Sequence, residues 1–263
     1  MVNISNHEDI EIKKILNKFS FPKDSIFFIH TDITNYRTQS KNWLEKCKSL
    51  YHFIDVHFKN HTVIVPTFTY SFCKNKTFDN LKTPSEVGIF TEYFRNQKKV
   101  IRSNHPIFSV AAKGKHAKIL INNLSNSSTG DGSIFEKLKV FNAYIIFFGS
   151  GFMESCTFLH YIEQCQRVHY RYSKYFSGKI KSQNKIIKDK WEFYVRNIEL
   201  YKFQKWAKNP LILRDLRNQR LLIERKTAKF KISYCSAKEI FNFITKKLKK
   251  NENYIIGSKP SRL

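Results

Sequence analysis

In the stretch GSGFMESCTFLHYIEQC, Gly149 to Cys165, a hydroxyl, an imidazole and a carboxylate recur at intervals of three: Thr157, His160 and Glu163. Side chains three apart on a helix share one face, so these groups can point the same way. The chemistry that suits them is proton abstraction. A neutral imidazole steadied by a carboxylate can take a proton from an amine or hydroxyl while that atom attacks an electrophile. Thr157 is suited to capping the helix or to donating to a developing oxyanion. A plainer arrangement fits the same spacing: Thr157 as an N-cap, Leu159 and Ile162 facing the core, His160 at the rim and Glu163 in solvent. Spacing leaves both open. A lone His-x-x-Glu supplies too few ligands for a metal site, and no metal is expected.

The elements around this stretch are those of an α/β fold. EDIEIKKILNKF has helical spacing, and SIFFIH, Ser25 to His30, reads as a strand covered on both faces. SKNWLEKCKSLYHFIDVHF is a helix and HTVIVPTFTYSF a second buried strand. Strand, helix and strand in succession are the mark of a parallel crossover unit. GIFTEYFRNQ and KHAKILINNL read as helices, HPIFSVAAKG as a strand, and VFNAYIIFFGS is the strongest strand of all. The candidate site therefore follows the carboxyl end of a buried strand, where open α/β sheets hold ligands. From Val168 the texture alternates, as in RVHYRYSKYFSGKI, KWEFYVRN and KFKISYCS, which predicts a more antiparallel portion over 168–235. Lys202 to Lys229 is basic and expected to be partly helical, and AKEIFNFITKKLKK is an amphipathic final helix. One domain over 1–263 is expected.

The chain has 263 residues, 47 Lys and Arg against 21 Asp and Glu, and a formal charge of +26. Such a charge attracts anions, nucleic acid among them. The basic residues are spread along the chain, though, and no RNP, KH, zinc-finger or helix-turn-helix pattern accompanies them, so a nucleic-acid module is the lesser reading. Aromatic residues make up 15% of the chain, with 24 Phe, which predicts an aromatic core. No run approaches the ~20 apolar residues of a membrane span, so no membrane partner is expected. The start of the chain lacks a signal peptide's apolar centre. The five cysteines are scattered without a CxxC pair, in keeping with reduced thiols. A cytoplasmic location is the resulting expectation.

Several segments, in order, resemble the aminoglycoside 3-N-acetyltransferase family: FFIHTDI, VIVPTFTYSF, Arg102-Ser103-Asn104-His105-Pro106, Gly130-Asp131-Gly132-Ser133, and the Thr157, His160, Glu163 helix. The similarity runs from Ser25 to Gly178, with an echo in the final helix. It implies a three-layer α/β sandwich around a mostly parallel central sheet with a more antiparallel C-terminal portion, unlike the GNAT fold. It also implies an acetyl-CoA-dependent N-acetyltransferase using direct transfer, with His160 as general base, Glu163 as its orienting partner and Thr157 beside the thioester.

The resemblance further implies that Thr31, Asp32 and Ile33 form a turn binding the coenzyme, that Ser109 lies near its pantetheine arm, and that Asn104 and His105 shape the acceptor pocket. Backbone N–H groups at a helix start after Thr31–Ile33 would suit the coenzyme phosphates. The family's antibiotic substrates are polycations and call for an acidic cleft. Asn104 stands where relatives often carry an acid. The positive balance therefore favours an anionic, nucleotide-linked amino sugar used in surface-glycan assembly, with an aminoglycoside as the alternative acceptor.

Overall fold

The computed structural model describes residues 7–34, 36, 42–182, 185–199, 210–227 and 230–256. In chain order the elements are α1 (His7–Leu16), β1 (Ile26–Thr31), α2 (Trp43–His57), β2 (Thr62–Pro66), α3 (Phe72–Asn75), β3 (Thr77–Asp79), α4 (Ile89–Arg95), β4 (Ile101–Arg102), β5 (Val110–Lys113) and α5 (Ala117–Ile121). Then follow α6 (Ile134–Val140), β6 (Tyr144–Phe148), α7 (Phe152–Ser155), α8 (Phe158–Cys165), β7 (Arg171–Ser182), β8 (Lys185–Arg196), α9 (Pro210–Asn218), β9 (Ile223–Lys226), β10 (Lys231–Ser236) and α10 (Ala237–Lys250).

A seven-stranded sheet has the order β4-β5-β2-β1-β6-β10-β9. Its centre is parallel, with β2 and β6 on either side of β1. Both flanks are antiparallel, through β5 and β4 on one side and β10 and β9 on the other. The alternation of each strand divides its apolar residues between two cores. Phe27, Ile29, Val63, Val65, Ile146 and Phe148 meet α1, α2 and α4 on one face. Ile26, Phe28, Ile64, Ile145 and Phe147 meet α5, α6, α8, α9 and α10 on the other. The three central strands are covered on both sides, which is why they read as unbroken apolar runs. The aromatic core is present: Phe28, Phe68, Phe108 and Phe135 are all buried and in ring contact.

A second, three-stranded sheet, β3-β7-β8, stands against the first. Its long strands pair over twelve rows from Arg171↔Arg196 to Ser182↔Lys185. Ile180, Trp191 and Tyr194 join the same buried cluster as the helices over the first sheet. The alternating texture after Val168 is thus a hairpin, and KFKISYCS becomes β10 in the main sheet.

Two stretches differ from expectation. HPIFSVAAKG pairs only from Val110, because the backbone from His105 to Ser109 turns about the His105 ring, whose Nδ1 accepts from the N–H groups of Ile107 and Phe108 at 3.3 and 3.0 Å. Within Lys202–Lys229, α9 is helical from Pro210 and β9 is a strand, while 202–209 and 228–229 lie outside the described residues.

Gly149 ends β6 with φ 79°, a left-handed conformation that glycine adopts without strain. A Cβ there would run into the backbone oxygen of Asp32 and the ring of Phe230. The close approach locks the ends of β1 and β6 together. Gly149→Ala is expected to cost about 2–4 kcal/mol from the combined strain and overlap, read as a lower urea midpoint. An unchanged midpoint would show that this turn is not constrained.

Candidate active site

β6 carries the chain to the carboxyl edge of the parallel strands, and α7 and α8 turn it back over the core. In α8, Phe158, Leu159, Tyr161 and Ile162 are buried and hold the helix down. That leaves His160 half-covered, its side chain 16% exposed, while Glu163 is fully buried. His160 Nδ1 lies 2.8 Å from Glu163 Oε2. The expected pair is present, but Glu163 is not in solvent.

A buried carboxylate needs a cation, and β7 supplies one. Arg171 Nε lies 2.7 Å from Glu163 Oε2, with the Arg171 side chain only 7% exposed. Arg171 Nη2 also stands 3.0 Å from His160 Nδ1. Both contacts to Nδ1 cannot be hydrogen bonds at once. Burial pushes the Glu163 carboxyl up, but the Arg171 charge, His160 and the Tyr170 hydroxyl outweigh it and hold it below the usual carboxylate range. An ionised carboxylate only accepts, so Nδ1 carries the proton and Nε2 keeps its lone pair. Burial, and then the Arg171 charge, lower the His160 pKa, opposed by Glu163. The imidazole is therefore neutral at neutral pH, the form a base requires.

Thr157 lies at the head of α8 without a side-chain capping bond. Its hydroxyl is buried and has no hydrogen-bond partner among the described residues. Capping is excluded by this geometry. Such an orphaned hydroxyl is costly unless a ligand uses it.

A cavity of about 680 Å³ lies beyond Arg171 and Gln164, which line it, whereas Thr157, His160 and Glu163 do not. Asp131 and Glu192 bring two carboxylates to its wall, which Arg167 and Arg171 also line. Glu192 Oε2 accepts from Ser127 Oγ at 2.6 Å, and Gln164 Oε1 from Thr129 Oγ1 at 2.5 Å. Sequence reasoning missed Glu192, Gln164 and Arg171. Arg171 was hidden by its abundance, one of 47 cations, and Glu192 by lying in a strand 29 residues downstream.

Thr31, Asp32 and Ile33 gather with Thr34, Gly88 and Trp43 around a second cavity, of about 280 Å³, at the carboxyl end of β1. Among the described residues the next helix after this turn is α2, from Trp43. Two of the backbone N–H groups are spent: Asp32 donates to Phe148 O at 2.9 Å, and Thr34 to Asp32 Oδ1 at 2.9 Å. The cation there is instead Lys46, whose Nζ lies 3.4 Å from Thr34 O and 4.9 Å from the Trp43 ring centroid. Ile33, Ile89 and Phe90 give apolar walls, and a Cβ on Gly88 would meet nothing within 4 Å, so this wall is open. An apolar cleft with Lys46 beside it fits part of a phosphopantetheine group.

Ser109 lies at the same edge of the sheet but is fully buried. It donates to Thr67 O at 2.6 Å and accepts from Arg102 Nε at 3.1 Å. Its hydroxyl is committed to protein partners. Asn104 and His105 line cavities with Ile121 and Asn122, bordered by Ser182, Ile180 and Ile187. Ile180 is nine residues along β7 from Arg171, roughly 30 Å at about 3.3 Å per residue. Asn104 and His105 line these cavities and not the one beside Arg171, although Asn126 and Trp191 of the His105 cavity adjoin Glu192, whose backbone N–H donates to Asn126 O at 2.9 Å.

A sequence model of the aminoglycoside 3-N-acetyltransferase family matches residues 50–249. The chain belongs to the aminoglycoside 3-N-acetyltransferase family. YokD, the SPbeta prophage-derived aminoglycoside N(3')-acetyltransferase-like protein of Bacillus subtilis (strain 168), is 29% identical over 133 residues, 42% of this chain and 48% of that protein. The match thus spans about half the length of that curated relative. AAC-IIIb in a binary complex with CoASH superposes with a TM-score of 0.76 at 13% identity, over 96% of this chain and 98% of that one. A histidine-to-alanine mutant of the aminoglycoside acetyltransferase AAC(3)-IVa, in complex with gentamicin, gives 0.73 at 18% identity, over 97% and 93%. These likenesses show that this family member has the acetyltransferase family's sandwich, and the GNAT fold is excluded.

Removing the Arg171 charge removes a force that lowers the His160 pKa. In Arg171→Gln the acid limb of kcat/KM is expected to move to higher pH, by about one unit, relative to wild type on the same acceptor. Limb position does not depend on the fraction of enzyme folded. A limb that stays put or moves to lower pH would remove Arg171 from control of this imidazole.

Proposed function

We propose that the protein is an acetyl-CoA-dependent N-acetyltransferase acting on the amine of an amino sugar. The observation that carries this reading is the neutral His160, 16% exposed, held by a buried, ionised Glu163 whose partner Arg171 lines a large cavity. Family membership and a neighbour bound to CoASH support the coenzyme.

Acetyl-CoA, when bound, supplies an electrophilic thioester carbonyl. His160 Nε2 accepts the proton of the incoming nitrogen as that nitrogen forms the amide bond. Glu163 holds the Nδ1–H and stabilises the imidazolium that results. His160 then returns its proton to the sulfur, which departs with the electron pair of the C–S bond. Thr157, whose hydroxyl no protein group occupies, is the donor available to the carbonyl oxygen. Lys46, Ile33 and Phe90 would hold part of the coenzyme at the β1 cleft, with Thr31 and Asp32 shaping its floor.

The acceptor class follows from local charge. Asp131 and Glu192 in the cavity beside Arg171 suit an ammonium-bearing sugar, and the family supports an aminoglycoside-type acceptor. The second reading, a nucleotide-linked amino sugar, is favoured by the formal charge of +26. The discriminating assay is acetyl-CoA turnover with kanamycin or gentamicin beside UDP- and dTDP-amino sugars. Preferential turnover of the drugs overturns the nucleotide-linked reading, and the converse overturns the aminoglycoside one. His160→Ala is expected to lower kcat by ~10²–10⁴, with coenzyme affinity largely kept. Near-normal turnover would take His160 out of the mechanism.

A further inference from the structure

Alternation along the β7–β8 hairpin sorts its side chains onto two faces. Phe176, Ile180 and Trp191 point inward, and Ile180 and Trp191 are buried against the core. The opposite face carries Lys179, Lys181, Lys188 and Lys190, all exposed. Lys179 and Lys188 are directly paired across the strands, Lys190 pairs with Ser177 two rows away, and Lys181 pairs with the exposed Ile186. Like charges placed opposite each other repel, so this arrangement is unfavourable unless an anion lies over it. The carboxylates facing the quartet are few. Asp79 approaches Lys181 only to 3.9 Å.

The same face runs on without interruption to the candidate active site. Its rows, read back from the quartet, are Tyr175↔Glu192, Ser173↔Tyr194 and Arg171↔Arg196. Glu192, Ser173, Tyr194 and Arg171 are walls of the cavity beside the dyad. Tyr175, 63% exposed, stands between the cavity and the lysines. The lysine rows begin two residues past Glu192, roughly 7 Å along the strand, and end roughly 20 Å along it. A carboxylate for an amine, Glu192, an exposed ring for a sugar, Tyr175, and then a cationic strip occur in that order on one surface.

From this order we infer that the outer face of the β7–β8 hairpin binds the diphosphate of a nucleoside diphosphate-linked acceptor, while its amine enters the cavity at Glu192. The inference rests on the acetyltransferase reading for the amine's fate, but the anion site stands or falls by binding alone. The lysines contact phosphate by charge and do not take part in the chemistry. The mutual repulsion of Lys179 and Lys188 is relieved when a phosphate lies between them.

The test uses UDP as the probe, measured by titration calorimetry on the full chain without acetyl-CoA. Four variants combined, K179Q, K181Q, K188Q and K190Q, are expected to weaken UDP binding about tenfold or more. A control removes four exposed lysines of α10, K238Q, K246Q, K249Q and K250Q, and lowers the net charge equally. It is expected to weaken UDP binding less than about threefold. The hairpin variant should melt no lower than wild type without ligand, because it loses a repulsion, and UDP should no longer raise its melting temperature. Its KM for acetyl-CoA should stay unchanged. Equal losses in both variants, no measurable binding of UDP by wild type, or a loss of acetyl-CoA affinity instead would each overturn the assignment. So would a single-stranded oligonucleotide whose binding depends on the four lysines while that of UDP does not. Absence of acetyl transfer to any amine would defeat the enzymatic reading and leave the UDP result intact.

Discussion

A carboxylate with no exposed surface governs the rest of the site. Glu163 stays ionised within the core chiefly because Arg171 arrives from another element and meets it at 2.7 Å, with His160 and Tyr170 adding to the effect. This single contact ties α8 to the hairpin and fixes the side of the imidazole that carries the proton. It also sets the sign of the electrostatics: the arginine that keeps the carboxylate charged makes the neighbouring imidazole harder to protonate. Breaking a buried pair of this kind typically costs about 3–5 kcal/mol, so the hairpin is anchored by the same interaction that prepares the base.

The second determinant is the direction of the three central strands. Because β2, β1 and β6 are parallel, their carboxyl ends emerge at one edge, where Thr67, Thr31 and Gly149 follow each other across the sheet. The cleft at Thr31–Thr34 and the turn into α7 and α8 therefore share that edge. The antiparallel partners add polar support there: Ser109, entering β5, is braced with Thr67 by Arg102, which also donates to Thr67 O at 2.8 Å. Burial lowers the Arg102 pKa to about 10, leaving it a cation throughout the working range. Its role in this geometry is to hold two loops together.

Charge is distributed against the average. A chain with a formal charge of +26 nevertheless places Asp131 and Glu192 at the cavity beside the dyad. A net charge describes the far field that a ligand meets on approach, whereas the groups within a few ångströms decide what it binds. Reasoning about the acceptor from composition alone captured the first and overlooked the second.

The local elements were legible because each depends on residues close in the chain. Apolar runs marked β1, β2 and β6, helical spacing marked α1, α2, α4, α5 and α10, and the interval from Thr157 to Glu163 marked one helical face. The His160–Glu163 contact belongs to this class, being three residues long. Arg171, Gln164's cavity and Glu192 did not, nor did the separate cavities that Asn104 and His105 line. Those depend on how a hairpin packs on a sheet, and on which flank β4 and β5 occupy. Sequence by itself determined the α/β architecture and the imidazole–carboxylate pair, since periodicity and helix geometry act over a few residues. Only the tertiary structure decided that Glu163 is buried and ionised, because its counter-charge is contributed by a strand that no local rule connects to it.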